Sequence, residues 1–389
     1  MPLVVYILGL TIFSLTTSEF MVAGMMPSLT VAFGVSVEQI GYLISLYALG
    51  MVVGGPVLTA SLIKLKASNK SALLWLLGFY AIAHSIAALA GSYAVLAVIR
   101  VVTGMVGAAC FGASLAICAE VVAPEVRGRA ASVVLGGLML AAAAGVPIAT
   151  LLDQHMGWRA SFWLVAILTI LCAAMIAKRV PPVHSLAPIN LSTELVELRS
   201  GYLWASYATS ALIIGATFSA FSYFAPILTE VSGFSSAAIP LLLGGYGLAN
   251  IVGNTVVGRY ADKYTLPVLL GGLSLLTIAL MTFALFAHSP MVSVAMVLVI
   301  GLVGVTMNPA MVARVMRTAK PGPLVNTLHS SIINIGLGMG AWLGGVGIGA
   351  GYGMRSPLWV GVALATLGLV SLIPFLGSHR IDAGLAAQH

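Results

Sequence analysis

Residues 3–26 read LVVYILGLTIFSLTTSEFMVAGMM. Crossing a bilayer as a helix takes about 20 predominantly apolar residues, and this run is long enough. Its one charge is Glu19, within Thr16-Thr17-Ser18-Glu19-Phe20. A carboxylate at mid-depth costs roughly 2.5–3.5 kcal/mol on insertion scales, so such a group faces a bundle interior or a watery cavity. There it can bind a cation or a proton. The run is too long for the core of a cleavable signal and has no basic flank, so it reads as a first membrane helix.

The remainder of the chain repeats this pattern. Hydrophobic residues make up 60% and charged residues 7% of 389 residues, which excludes a water-soluble globule. Apolar runs predict twelve helices at 4–26, 40–62, 72–91, 94–119, 129–152, 160–178, 203–227, 238–258, 266–287, 291–313, 326–350 and 356–377. They lack the alternating ten-residue pattern of a barrel. Cys110, Cys118 and Cys172 all fall inside apolar runs and read as small packing residues.

The net charge of +7 is explained by where the basic residues lie. With both termini in the cytoplasm, cytoplasmic segments carry Lys64, Lys66, Lys70, Arg127, Arg129, Lys178, Arg179, Arg199, Arg259, Lys263, Arg314, Arg317, Lys320 and Arg380. The opposite side keeps only Arg159 and Arg355, and Arg100 lies within a span. This is the positive-inside bias of a multi-pass membrane protein, and no nucleic-acid partner is needed to account for it.

A polar interruption divides the chain into a six-helix unit at 1–179, a cytoplasmic linker at 180–201, a second unit at 202–379 and a tail at 380–389. Glu194, Glu197 and Arg199 in the linker fit either a short amphipathic helix or a solvated connection. An offset of 199 residues places Pro27 on Pro226, Tyr47 on Tyr246 and Gly54 on Gly253. It also places Phe33-Gly34-Val35-Ser36 on Ser232-Gly233-Phe234-Ser235. Parallel repeats of this kind place a substrate site at mid-membrane between the halves and permit alternating access. The equivalent of Glu19 is Phe218, so the second half has no matching acid.

Three further segments carry polar or backbone-bending residues. The fourth span holds Arg100-Val101-Val102-Thr103-Gly104 and then Gly107. The fifth holds Gly136-Gly137, Gly145-Val146-Pro147 and, at its end, Gly157-Trp158-Arg159. The loop after the eighth holds Gly258-Arg259-Tyr260-Ala261-Asp262-Lys263. Together these resemble the patterns of the major facilitator superfamily across the whole chain. The opening Thr17-Ser18-Glu19-Phe20 and the loop Pro124-Glu125-Val126-Arg127-Gly128-Arg129 resemble its bacterial twelve-helix drug:proton antiporters, near the chloramphenicol-type and arabinose-type efflux permeases.

The resemblance implies an all-α membrane protein of two pseudo-symmetric six-helix bundles. It also implies a monomeric exporter of small amphipathic molecules, driven by a proton gradient and needing no cofactor. Glu19 and Arg100 are then the expected proton-coupling pair, in contact directly or through water, with a static ion pair as the alternative. Gly137, Gly145 and Pro147 correspond to the exporter pattern of helix 5, where close packing is the simpler reading. Gly258, Arg259, Asp262 and Lys263, with Arg127 and Arg129, are expected to latch the cytoplasmic side. The first half has Thr59 and Ile63 where the loop pattern has Gly258 and Asp262, so only one such latch is expected.

Phe20, Phe218, Phe221 and Tyr223 are candidates for an aromatic cavity, although core or lipid contact suits them equally. Asn250, Asn254, Asn308 and Asn334 are candidate polar contacts, although interhelical packing suits each of them, as it does His84 and His329. A sugar or metabolite exporter, or a facilitator without proton coupling, shares the same architecture. No phosphate loop, metal-ligand spacing or nucleophile with a base is present in the sequence, so neither ATP hydrolysis nor enzyme chemistry is expected.

Overall fold

The computed structural model describes residues 1–64, 68–180, 198–318 and 323–375. The linker acids Glu194 and Glu197, Lys66, Lys320 and the tail with Arg380 lie outside them. Among the described residues, twelve helices are long and apolar enough to cross a membrane. They are α1 (Leu3–Gly24), α2 (Val37–Lys64), α3 (Asn69–Ala88), α4 (Tyr93–Val121), α5 (Pro124–Met156) and α6 (Trp158–Arg179). The second six are α7 (Gly201–Phe221), α8 (Ser236–Tyr260), α9 (Thr265–Phe286), α10 (Pro290–Thr318), α11 (Leu324–Tyr352) and α12 (Ser356–Phe375). The end of the bundle bearing Leu3 and Phe375 is called the terminal face below, and the opposite end the distal face.

Local chemistry sets where these helices start and bend. Ser68 and Ser92 cap α3 and α4, their hydroxyls accepting from the amides of Ser71 and Val95. The expected spans 4–26 and 203–227 end early, at Gly24 and Phe221, because Pro27 and Pro226 have no amide hydrogen to continue the ladder. A short helix Met26–Phe33 follows α1 and ends at Gly34, with φ of 63°. After α7 come a helical turn at Phe224–Pro226 and a wide turn at Ile227–Val231, closed by Gly233 with φ of 76°. Gly34 and Gly233 are equivalent under the 199-residue repeat, and both adopt the left-handed backbone that glycine tolerates best.

Two later helices are also broken by proline. In α5, Ala141–Gly145 widens to a π-helical turn just before Pro147, so that the missing amide hydrogen is accommodated without ending the span. The expected span 291–313 is discontinuous. It runs as Pro290–Val303, a 3₁₀ turn at Val305–Met307, and Asn308–Thr318 with Pro309 in its first turn.

Packing repeats between the halves. The pairs α1–α5, α2–α4 and α3–α6 of the first half recur as α7–α11, α8–α10 and α9–α12 in the second. The halves meet through α2 against α11 and α5 against α8, which are again equivalent pairs. Glycine makes the second seam possible. A Cβ on Gly247 of α8 would lie 2.3–2.4 Å from backbone atoms of Ala142 and Ala143 in α5.

Candidate functional site

Arg100 is 1% exposed, and its guanidinium ties three helices together. Its Nε donates to the carbonyl of Leu43 in α2 at 3.2 Å. Its Nη1 and Nη2 donate to the carbonyls of Ser18 and Glu19 in α1 at 2.8 and 3.0 Å. The same group lies 4.2 Å from the centre of the Tyr47 ring. Gly104, one turn further along α4, allows this approach: a Cβ there would sit 2.0 Å from the carbonyl of Tyr47. The expected Glu19–Arg100 pair is therefore built through the backbone of Glu19. A buried arginine must satisfy its donors, and helix 1 offers two carbonyls to the planar fork. The carboxylate lies within reach of the guanidinium's field without being its hydrogen-bond acceptor.

A second layer holds this node. The Nδ1 of His84 faces the carbonyl of Tyr80 at 2.9 Å. A carbonyl only accepts, so Nδ1 carries the hydrogen and Nε2 accepts from the hydroxyl of Ser18 at 2.6 Å. The hydroxyls of Tyr47 and Tyr80 are 3.2 Å apart, and both point toward the carbonyl of Leu15. His84 is thus a satisfied packing histidine that fixes the residue beside Glu19.

Glu19 itself is partly exposed among buried neighbours on α1. Immediately beyond it the aromatic candidates form a plug. Phe20 from the first half packs at a tilt against Phe218, with ring centres 5.2 Å apart, and meets Phe221 edge-on at 5.8 Å. Phe221 stacks in turn on Tyr246 at 4.9 Å. Phe20, Phe218 and Phe221 are 8, 3 and 3% exposed, so these rings close the space between the halves instead of lining an open cavity. Tyr223 is fully buried, donates to the carbonyl of Ala341 at 2.7 Å, and presses against Gly41 of α2.

The helix 5 pattern is a close-packing device on two sides. A Cβ on Gly137 would meet the carbonyl of Gly9 at 2.1 Å, and one on Gly145 would meet the Thr17 hydroxyl at 2.0 Å, so both glycines seat α1. Pro147 faces Gly244 of α8. Toward the distal face the halves are joined by Ser45 donating to the carbonyl of Gly338 at 2.9 Å and Gln154 donating to that of Ser236 at 2.6 Å. Glu38, which accepts from Tyr42, fills the space left by the missing side chain of Gly349. Among the described residues, every hydrogen bond and ring contact between the halves lies between mid-depth and the distal face.

The remaining candidates are scattered. Asn250 and Asn334 donate to carbonyls one turn back on their own helices. The side-chain oxygens of Asn250 and Asn308 are buried without a partner, and Asn254 is partly exposed. At the terminal face Arg127, Arg129, Gly258, Arg259, Asp262 and Lys263 are all exposed. The carbonyl of Asp262 accepts from Arg317 of its own half. Among the described residues, no hydrogen bond joins Asp262 to α5, Arg127 or Arg129. Arg314, read from sequence as a loop charge, is instead buried in α10, where it donates to Thr209 at 2.8 Å.

Sequence reasoning passed over Asp153 and Glu38. The expected spans stop at 152 and begin at 40, which puts both acids in loops. The helices run to Met156 and from Val37 and carry both acids on helix. The local signal was there for Glu38, since Ser36-Val37-Glu38-Gln39 is a capping sequence in which the side chains of Ser36 and Gln39 bond each other's amides.

Known proteins share this arrangement. The family model of the Major Facilitator Superfamily matches residues 8–324. A chloramphenicol resistance protein of Streptomyces lividans is 32% identical over 380 residues, covering 96% of each chain. The inner membrane transport protein YdhP of Escherichia coli K12 is 29% identical over 374 residues, covering 96% of this chain and 95% of that one. A crystal structure of a bacterial homolog to the human lysosomal transporter Spinster, inward-facing and occupied, superposes with a TM-score of 0.76 at 17% identity, covering 97% and 96%. With twelve spans, a duplicated six-helix plan and these relatives, the chain belongs to the major facilitator superfamily of membrane transporters.

Proposed function

We propose that this transporter exports small amphipathic molecules, drugs among them, in exchange for protons by alternating access. The observation that carries the reading is the state of Glu19. It is partly exposed beside the seam between the halves, while the donors of Arg100 are taken up by backbone carbonyls. A carboxylate so placed is free to exchange a proton or meet a cationic group. The similarity to a chloramphenicol resistance protein supports a drug-like substrate.

The positive-inside bias supports cytoplasmic termini, which makes the terminal face cytoplasmic. The arrangement described above is then inward-facing, sealed on the outside by the Phe20 plug and the α2–α11 and α5–α8 seams. In the opposite state the exposed Asp262 would dock on the start of α5 near Arg127 and Arg129, its charge favoured by the helix N-terminus.

In proteoliposomes, an imposed proton gradient should drive drug accumulation by the parent protein and not by Glu19→Gln, with substrate binding retained. Undiminished gradient-driven transport in the variant would overturn the assignment of Glu19. Transport by the parent protein that ignores the gradient would overturn proton coupling altogether.

A further inference from the structure

A second acid lies on the outer side of the plug. Asp153 sits on the distal segment of α5, Val146–Met156, and is 5% exposed. Its Oδ2 accepts from the hydroxyl of Ser28, on the short helix that follows α1, at 2.6 Å. Its Oδ1 is buried and has no hydrogen-bond partner.

Three features make this a poor place for a negative charge. The second oxygen is desolvated without a donor. The residue lies in the last turn of its helix, where the backbone presents the negative end of its dipole. Among the described residues no cation is paired with it. Of the titratable groups on the surrounding elements, α1 carries Glu19, on the other side of the plug, and Tyr6, near the terminal face, and the short helix Met26–Phe33 carries none. On α6, Arg159 is engaged elsewhere, donating to the carbonyl of Ala90 and lying over the Trp158 ring. On α5 itself His155 is exposed. The start of α8 has no titratable residue, and Glu230 of the turn before it is exposed.

The surroundings of Asp153 connect it to the gate. The next residue, Gln154, makes the hydrogen bond to Ser236 of the opposite half. One turn earlier, Thr150 packs where Gly24 of α1 and Leu243 of α8 converge. Asp153 is therefore dry only while α5 and α8 are joined at the distal face.

We propose that Asp153 is a proton-binding site of the distal gate. It takes a proton from the distal solution as that face closes and returns it to the same solution when the Gln154–Ser236 contact parts. The only bond made and broken is the carboxyl O–H, and no net proton crosses the membrane through it. Ionised Asp153 favours the open gate, where water solvates both oxygens. The inference rests on the alternating-access part of the proposed function and not on proton coupling at Glu19.

The test uses the full chain in liposomes, spin-labelled at Val31→Cys and Met291→Cys. These positions are 84 and 83% exposed on the distal side of the two halves, and the native cysteines are buried. Interlabel distances are measured from about pH 4 to about pH 8.5, a range that begins at the ordinary carboxyl group. The gate of the parent protein should be closed at low pH and open progressively as pH rises. Asp153→Asn keeps the bond to Ser28 and should stay closed throughout. Ser28→Ala, which removes the donor that favours the carboxylate, should open only at higher pH than the parent.

A pH response in Asp153→Asn equal to that of the parent protein overturns the proposal, as does a parent protein that ignores pH. Glu19→Gln should keep the response. If it alone loses the response, the titrating group is Glu19, and the Asp153 site is wrong while the proton-coupling reading stands.

Discussion

Arg100 donates to the backbone carbonyl of Glu19 at 3.0 Å, so the guanidinium anchors helix 1 through the main chain and not through a hydrogen bond to the carboxylate next to it. Anchoring by Arg100 is thus separate from the proton handling proposed for the Glu19 carboxylate, although the two residues meet at one peptide group. The division separates their mutants. Arg100→Lys loses the planar fork and at least two of its hydrogen bonds to α1 and α2, each worth roughly 1.5–3 kcal/mol for a charged donor. Its melting temperature in detergent should fall clearly, and transport with it. Glu19→Gln keeps the carbonyl that Arg100 uses, so its melting temperature should match the parent while gradient-driven transport is lost. Equal destabilisation of the two variants would mean that the carboxylate carries structural weight.

The α2–α11 seam gives a reciprocal test. A Cβ on Gly349 would lie 1.8 Å from Oε2 of Glu38, so Gly349→Ala and a closed distal face are incompatible unless Glu38 moves. Gly349→Ala should shift the population toward the distal-open state, modestly, because the carboxylate it meets is the far end of a flexible side chain. Adding Glu38→Ala removes the colliding group and should restore closure. Accessibility of a cysteine placed beneath the plug to an impermeant thiol reagent reads both results. Failure of the double variant to close would show that Glu38 is not what occupies the space.

The α5–α8 seam behaves differently because its neighbours are backbone. Gly247→Ala would push a methyl group into the main chain of Ala142 and Ala143, which no side-chain trimming relieves. This variant should lose transport and stability together, without a suppressor among facing side chains. Gly258→Ala, in the exposed last turn of α8, has no atom within 4 Å of the added carbon and should fold normally. Its transport rate then tests the proposed docking of the segment that carries Asp262.

Much of this was legible in the residues and some of it was not. Glu19 announced itself as the only charge in residues 3–26, and the repeat was visible in Gly34 and Gly233, whose backbone angles agree. Hydropathy locates a span but not its rotation or its last turn. Asp153 therefore fell outside an expected span by one residue, and Arg314 was counted with loop charges although it packs inside the bundle. The partners of Arg100 were out of reach for another reason. Backbone carbonyls are identical at every residue, so only the tertiary approach permitted by Gly104 selects those of Leu43, Ser18 and Glu19.

Phe20 supplies the last prediction. Its ring is the first half's contribution to the plug, in contact with Phe218 and Phe221 across the seam. Truncation to alanine removes a buried aromatic from a packed site, a change that costs roughly 3–5 kcal/mol where the gap cannot collapse. Under the proposed alternating access the two halves separate at the distal face, and the contact exists only while that face is shut. The cost therefore falls on that state and not on the fold. Phe20→Ala should retain most of its thermal stability yet populate the distal-open state. In proteoliposomes it should also pass protons in the absence of substrate, since Glu19 lies immediately behind the missing ring. Phe20→Leu, which refills part of the volume, should restore much of the closure but not the aromatic stacking. A proton flux in Phe20→Ala no greater than in the parent protein would show that the rings fill space without forming the barrier.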